Sequence, residues 1–292
     1  MSEAPAIPGR SLATRLGRVV STGPAYVVMV VVALLWLLPT VGLAVASLRT
    51  ASDNAASGWW RAVTTPSQLT LESYRALFAE GSKIPHALVN TVLIAVPATL
   101  GVLAVAALAG FAFAWIRFPG RDGLFLVVVA LLVVPVQVAL IPIAQLYGKL
   151  DLFGTIPGVV LFHIAFGLPF AIFLLRNFFA GIPRELLEAA RMDGAGELRL
   201  FFQVVLPLAY PALAALAIFQ FLWVWNNLLV ALVFAGPDAA PITVAIREQT
   251  RQFGANIDVI APGAFVSMVV PLAVFFAFQR YFVQGLLAGS SR

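Results

Sequence analysis

Six stretches of this chain are apolar over 23 residues or more: 24–48, 87–116, 124–146, 156–179, 208–234 and 261–283. About 20 residues of α-helix cross ~30 Å of hydrocarbon, so each stretch is long enough to span, with tilt in the longer ones. The composition leaves little else open. Hydrophobic residues make up 61% and charged residues 11% of 292 positions, against about 45–50% and 25% in soluble proteins. Too little charge is present to coat a soluble globule, so the blocks predict an all-α polytopic membrane protein of six transmembrane helices. Pro39, Pro97, Pro135, Pro142, Pro169 and Pro271 fall inside them. Such kinks are tolerated where neighbours satisfy the freed carbonyls, which predicts a packed bundle.

Six spans place both termini on one side. With the N-terminus inside, eleven basic residues lie on inner segments and seven on outer ones, and the inner face carries the whole net charge of +5. That bias predicts cytoplasmic termini. Arg10, Arg15 and Arg18 before the first block, with Ala44-Val45-Ala46 within it, resemble a signal peptide, but the apolar stretch is too long for one and an uncleaved helix is expected. The predicted organisation is a cytoplasmic segment 1–23, a spanning domain 24–284 with an external segment 49–85 and an inner loop 180–206, and a cytoplasmic tail 285–292. In the external segment Trp59 and Trp60 suit the headgroup level, and 71–78 reads as a short amphipathic helix. The basic residues are scattered singly, with no face to track phosphates, so no nucleic-acid partner is expected. The zero cysteines exclude disulfides and cysteine-held metals.

The inner loop carries the sharpest signal. After Pro183 comes Arg184-Glu185-Leu186-Leu187-Glu188-Ala189-Ala190-Arg191-Met192-Asp193-Gly194. Proline at the start, an acid in the first turn and glycine at the end outline a short helix. Leu186, Ala189, Ala190 and Asp193 share one face by spacing, small enough at Ala189-Ala190 for close docking. The same pattern also describes an amphipathic helix lying on the inner leaflet.

Glu188-Ala189-Ala190, three residues, Gly194, nine residues, Val204, one residue and Leu206-Pro207 resemble the EAA loop of ABC-importer membrane subunits, with Val204 in place of isoleucine. Further segments resemble the carbohydrate-importer branch: Asn90-Thr91, Pro135-Val136-Gln137, 150–155, Trp225-Asn226-Asn227 and the ending 279–289. The chain is similar to the G-type permease of maltose-like and alpha-glucoside-like importers, though Ser290-Ser291-Arg292 departs from the commoner tail. This resemblance implies the type I importer permease fold. It implies a partner F-type permease, a dimer of ABC ATPases using ATP and magnesium, an extracytoplasmic sugar-binding protein, and a place in the bacterial inner membrane among its lipids. It makes the loop a coupling helix, with Glu188, Ala189, Ala190, Arg191, Met192, Asp193, Gly194, Leu206 and Pro207 as its ATPase-coupling residues.

Polar side chains inside a span mark either a pathway or hydrogen-bonded packing. Here they are Asn90, Gln137, Gln145, His163, Gln220, Asn226 and Asn227. Gln220, Trp223 and Asn227 are spaced to share one helical face, two amides and an indole suited to sugar hydroxyls and a sugar face. With Asn226, Gln137 and Asn90 they form the candidate translocation path. His163, without a second ligand nearby, reads as a packed, hydrogen-bonded residue. Nucleophile–base sets, zinc spacings and a phosphate-cradling Gly-x-x-x-x-Gly-Lys are all absent, so no cofactor and no enzymatic activity are expected of this chain itself. An ion-coupled secondary transporter is the main alternative class, and would want acids at mid-membrane; no block contains Asp or Glu. An ABC permease for a non-sugar solute, or a membrane scaffold, remains as a further alternative.

Overall fold

The structure is a computed structural model that describes the backbone of residues 12–251 and 254–288, and the side chains of 24, 26–249 and 256–279. Arg10 and the tail residues Ser290, Ser291 and Arg292 lie outside the described residues, and the side chains of Arg15, Arg18 and 280–288 lie outside the described side chains.

Helix α1 (Leu12–Ser47) is apolar all round and nearly bare over residues 26–41, with Trp36 80% exposed. A helix of that kind needs lipid or another protein around it. Three short helices follow, α2 (Ala51–Ala56), α3 (Arg61–Thr64) and α4 (Glu72–Leu77). They fold over the end of α1 around Arg49, which is fully buried. Its Nη1 donates to Asn54 Oδ1 and Ser57 O, and its Nη2 to Asp53 O, Ser57 Oγ and Gln68 Oε1, all within 3.2 Å. These five bonds offset the cost of burying the charge, although Arg49 Nε finds no acceptor among the described residues.

Helix α5 (Ile84–Trp115) forms the most extensive interface of the bundle, with α8 (Ile156–Ala180). Small residues let the backbones approach: Ala98 and Ala106 are fully buried, and a Cβ on Gly110 would stand 3.1 Å from the backbone of Arg176. Without a hydrophobic driving force in lipid, such close contact is what holds helices together.

The third apolar block is not one kinked helix. It consists of α6 (Arg121–Leu131) and α7 (Val136–Lys149), bent by 102° at their junction. Pro135 disfavours helical geometry at Val134 and itself sits extended, at φ −65° and ψ 136°. Neither half alone crosses ~30 Å at 1.5 Å per residue.

On the opposite side of the bundle lie α9 (Arg184–Met192), α10 (Glu197–Leu200), a π-widened turn (Phe201–Val205) and α11 (Leu206–Leu208). The chain then turns by 76° into α12 (Tyr210–Trp225). The fifth block is likewise interrupted, since α12 stops at Trp225 and α13 (Leu229–Phe234) begins afresh. Helix α14 (Ile242–Glu248), a two-residue ladder of Thr250–Arg251 with Gly254–Ala255, and α15 (Ile257–Ala288) complete the order. Among the described residues four helices are long and apolar enough to span, and the two bent pairs bring the total to six if each counts as one span.

Two apolar clusters fill the bundle. One, at the α9 end, joins Phe111, Leu175 and Phe179 to Leu187, Leu200 and Phe201. The other joins Ile94, Phe162, Phe221, Trp225 and Phe234 towards the opposite end.

Candidate functional site

Most of the residues singled out by sequence gather in two places, the α9 loop and the middle of α8 and α12. Asn90 lies on α5, Gln137 and Gln145 on α7, and Asn226-Asn227 past the end of α12. In the loop Pro183 precedes the helix in extended geometry, at φ −56° and ψ 131°. Gly194 closes it at φ +81°, the left-handed turn open to glycine at little cost. The expected shared face is turned outward only in part. Leu187 is fully buried against Leu200 and Phe201, with Ala190 half-buried beside it. Glu188, Ala189, Asp193 and Gly194 are exposed, as are Leu186 at 46% and Met192 at 88%. The helix is thus pinned by one leucine and offers a mixed apolar and charged face to solvent.

Arg191 turns back to Glu197, its Nε and Nη2 donating to the two carboxylate oxygens at 3.0 and 3.2 Å. That fork ties α9 to α10. Leu206-Pro207 has a geometric role: Leu206 N donates to Phe201 O across the π-widened turn, and proline, with no N–H to place, follows at the bend into α12.

In the bundle, Gln220 is 5% exposed and its Nε2 is buried without an acceptor among the described residues. A Cβ on Gly167 would lie 2.8 Å from that nitrogen, so the amide occupies space that only glycine leaves. Around it Phe166, Gly167 and Phe170 of α8 and Phe219, Gln220 and Trp223 of α12 line a groove of about 280 Å³. One turn away His163 is buried, its ring centroid 5.2 Å from that of Trp223. It is packed as expected, but its Nδ1 has no hydrogen-bond partner among the described residues. A buried amide set in an aromatic-walled groove is the build of a site for a polar ligand with an apolar face. Gly167, Phe166, Phe170 and Phe219 were not legible as site residues, because only the α8–α12 pairing brings them together; the spacing of Gln220 and Trp223 did point here.

The other path candidates do not join this groove. Asn227 leaves the helical face that its spacing assigned to it, because α12 ends two residues earlier. Asn226 Nδ2 donates to Leu222 O, and Asn227 Oδ1 accepts from Val230 N. Asn227 thus satisfies an N–H that the start of α13 leaves free, while Leu222 O, which already accepts from the backbone N–H of Asn226, takes a second bond from the Asn226 side chain. Asn90 Nδ2 donates to Asp238 O at 2.8 Å and Ala240 O at 3.1 Å, tying α5 to the loop before α14. Gln137 and Gln145 are exposed on α7.

Comparison with known proteins gives a consistent result. Residues 102–287 match the family described as the binding-protein-dependent transport system inner membrane component. The chain is 46% identical over 272 residues to the osmoprotective compounds uptake permease of Synechocystis, covering 91% of each chain. It is 48% identical over 234 residues to the alpha-glucoside transport permease of Rhizobium meliloti, covering 78% of this chain and 61% of that one. It is 36% identical over 229 residues to the trehalose transport permease of Mycobacterium tuberculosis, covering 77% and 83%. In fold it resembles a chain of a bacterial alginate ABC transporter solved with an alginate-loaded periplasmic protein, at a TM-score of 0.66 and 15% identity over 89% of this chain.

Proposed function

This chain belongs to the binding-protein-dependent transport inner membrane component family, and on that premise we propose that it is one permease subunit of an ABC importer for a di- or oligosaccharide such as an alpha-glucoside. It works by alternating access with a second, F-type permease. A dimer of separate ATPases, using ATP and magnesium, drives the cycle, and an extracytoplasmic binding protein delivers the sugar. Both termini are cytoplasmic, which puts α9 on the ATPase side.

The observation that carries the reading is the build of α9. Leu187 locks it to the bundle, Gly194 fixes its end, and an exposed face with Glu188, Ala189 and Met192 is left for a cleft in the ATPase. Coupling then needs shape and rigidity rather than reactivity: closure of the ATPases on ATP moves the docked helix, and the α9-end cluster passes that motion to α5 and α8. Gln220 and Trp223, with the phenylalanines beside them, give the groove an amide for sugar hydroxyls and rings for an apolar sugar face. The F-type permease closes its open side.

The name of the Synechocystis relative favours a second reading, a smaller osmoprotective solute. Both are tested by uptake of labelled alpha-glucoside into cells carrying the full transporter. The sugar reading expects competition by unlabelled alpha-glucosides and trehalose, and loss of uptake when ATP is depleted but not when the proton gradient is collapsed. Competition by osmoprotectants alone supports the second reading, and uptake that follows the proton gradient overturns both.

A further inference from the structure

Arg117, Arg121, Arg176, Arg184 and Arg191 are scattered singly along the sequence, but the fold gathers them. All five line one pocket of about 310 Å³ together with a single acid, Glu188. They come from the loop after α5, the start of α6, the last turns of α8, and α9. Like charges in one concavity repel unless counter-charge is supplied. The chain supplies little. Arg121 pairs with Asp122 and Arg191 with Glu197, both at 3.0 Å. Among the described residues Arg117, Arg176 and Arg184 have no carboxylate partner, and Glu188 forms no ion pair.

Arg176 is held ready. Its guanidinium lies over the Phe125 ring at 4.8 Å, its Nη1 donates to Asn177 Oδ1, and its Nε is buried with no acceptor among the described residues. A topological bias asks only that arginines lie on the inner side. It does not ask that five of them converge.

We propose that this pocket binds a phosphate-bearing anion, with the phosphodiester of an anionic phospholipid as the source that its position favours. Arg176 stands four residues before the end of a spanning helix, and the pocket-lining Trp115 closes another, with its Nε1 donating to Phe179 O. Both are placed at headgroup depth, where basic pockets between helices take anionic lipid. Planar guanidinium forks match phosphate oxygens in pairs. The anion bridges the spanning helices to α9, so it braces the helix that carries Glu188 and makes coupling depend on lipid. Only the side of the membrane rests on the topology proposed above; the site is independent of the solute carried.

The test is native mass spectrometry of the full chain with its co-purifying partners in mild detergent. Phosphatidylglycerol and phosphatidylcholine of equal chain length are titrated separately, with and without millimolar inorganic phosphate. The expected result is retention of phosphatidylglycerol over phosphatidylcholine by about tenfold, or 1.4 kcal/mol, abolished in R121Q/R176Q and partly kept in R121K/R176K, which has the charge but not the planar fork. The lysine pair guards against a variant that merely misfolds. Unchanged retention in millimolar phosphate assigns the site to the lipid headgroup, and displacement by phosphate assigns the same phosphate site to a free anion. Equal retention of the two lipids by the unaltered protein overturns the proposal. So does an R121Q/R176Q variant that keeps the preference, or one that loses the ATPase while keeping it, which would make the pocket a seat for a protein carboxylate.

Discussion

Gly167 on α8 stands directly behind Gln220 on α12, so close that a Cβ added to the glycine would meet the amide nitrogen at 2.8 Å. The G167A variant must therefore push Gln220 out of place while leaving both helices intact. Transport is expected to fall about tenfold, as for loss of one well-placed hydrogen bond of ~1–1.5 kcal/mol, with assembly unchanged. Q220A should show a similar drop, and G167A/Q220A little more than either alone. Uptake assays on the three variants check this; additive losses would mean that the glycine and the amide act separately.

Leu187 is the only α9 side chain buried among the described residues. Truncation to alanine in a well-packed core costs ~2–5 kcal/mol, enough to free a nine-residue helix that has little else to hold it. The L187A permease should still assemble in the membrane but should lose sugar-stimulated ATP hydrolysis, with faster proteolysis between Arg184 and Met192. A190W, at the half-buried edge of the same helix, should uncouple ATP hydrolysis from transport. Wild-type transport by A190W would count against α9 as the coupling element.

At Gly194 the backbone is left-handed. A β-branched residue there is strained by ~1–2 kcal/mol, whereas asparagine tolerates the conformation. G194V should impair coupling more than G194N, read as the ratio of transport to ATP hydrolysed. Equal effects of the two would remove backbone strain as the cause.

The Asn226-Asn227 pair separates two roles. As a helix cap, Asn227 is replaceable by serine or aspartate at little cost and by alanine at ~1 kcal/mol. A ligand for sugar hydroxyls would tolerate none of the three. N227S and N227D are expected to keep transport within about twofold, and N227A to lower thermal stability by an amount matching that cost. Loss of transport in all three, at unchanged stability, would return Asn227 to the path.

Arg49 gathers five hydrogen bonds just past the C-terminal end of α1. Methionine keeps the apolar stem but removes the donors to Gln68 Oε1, Asn54 Oδ1 and Ser57 O. R49M should cost several kcal/mol, since each buried group left unpaired costs ~1–3, and it should lower the melting temperature of the assembled transporter. R49K, which restores charge but not the planar fork, should recover only part of this.

Much of this architecture was readable from local pattern. The apolar blocks mark the spanning bundle because hydrocarbon imposes a length, and the Pro183-to-Gly194 punctuation marks α9 because helix ends impose chemistry. The breaks were not readable in the same way. Pro135 and Asn226-Asn227 sit inside blocks that stay apolar on average, so hydropathy alone does not mark where those helices end. In the groove, Gln220 and Trp223 announced themselves by spacing on one helix, whereas Gly167 gains its meaning only across α8 and α12. The arginine pocket is the extreme case: five single charges, spread over 75 positions from Arg117 to Arg191, become neighbours only after folding.

The central claim, that this permease couples sugar delivery to ATP hydrolysis in a partner, is tested most directly on the complex purified with this chain and reconstituted in lipid vesicles. ATP hydrolysis should rise when binding protein loaded with an alpha-glucoside is added, stay near baseline with the empty binding protein, and lose its response in L187A. A chain that purifies without an ATPase, or hydrolysis indifferent to the loaded binding protein, would contradict the account.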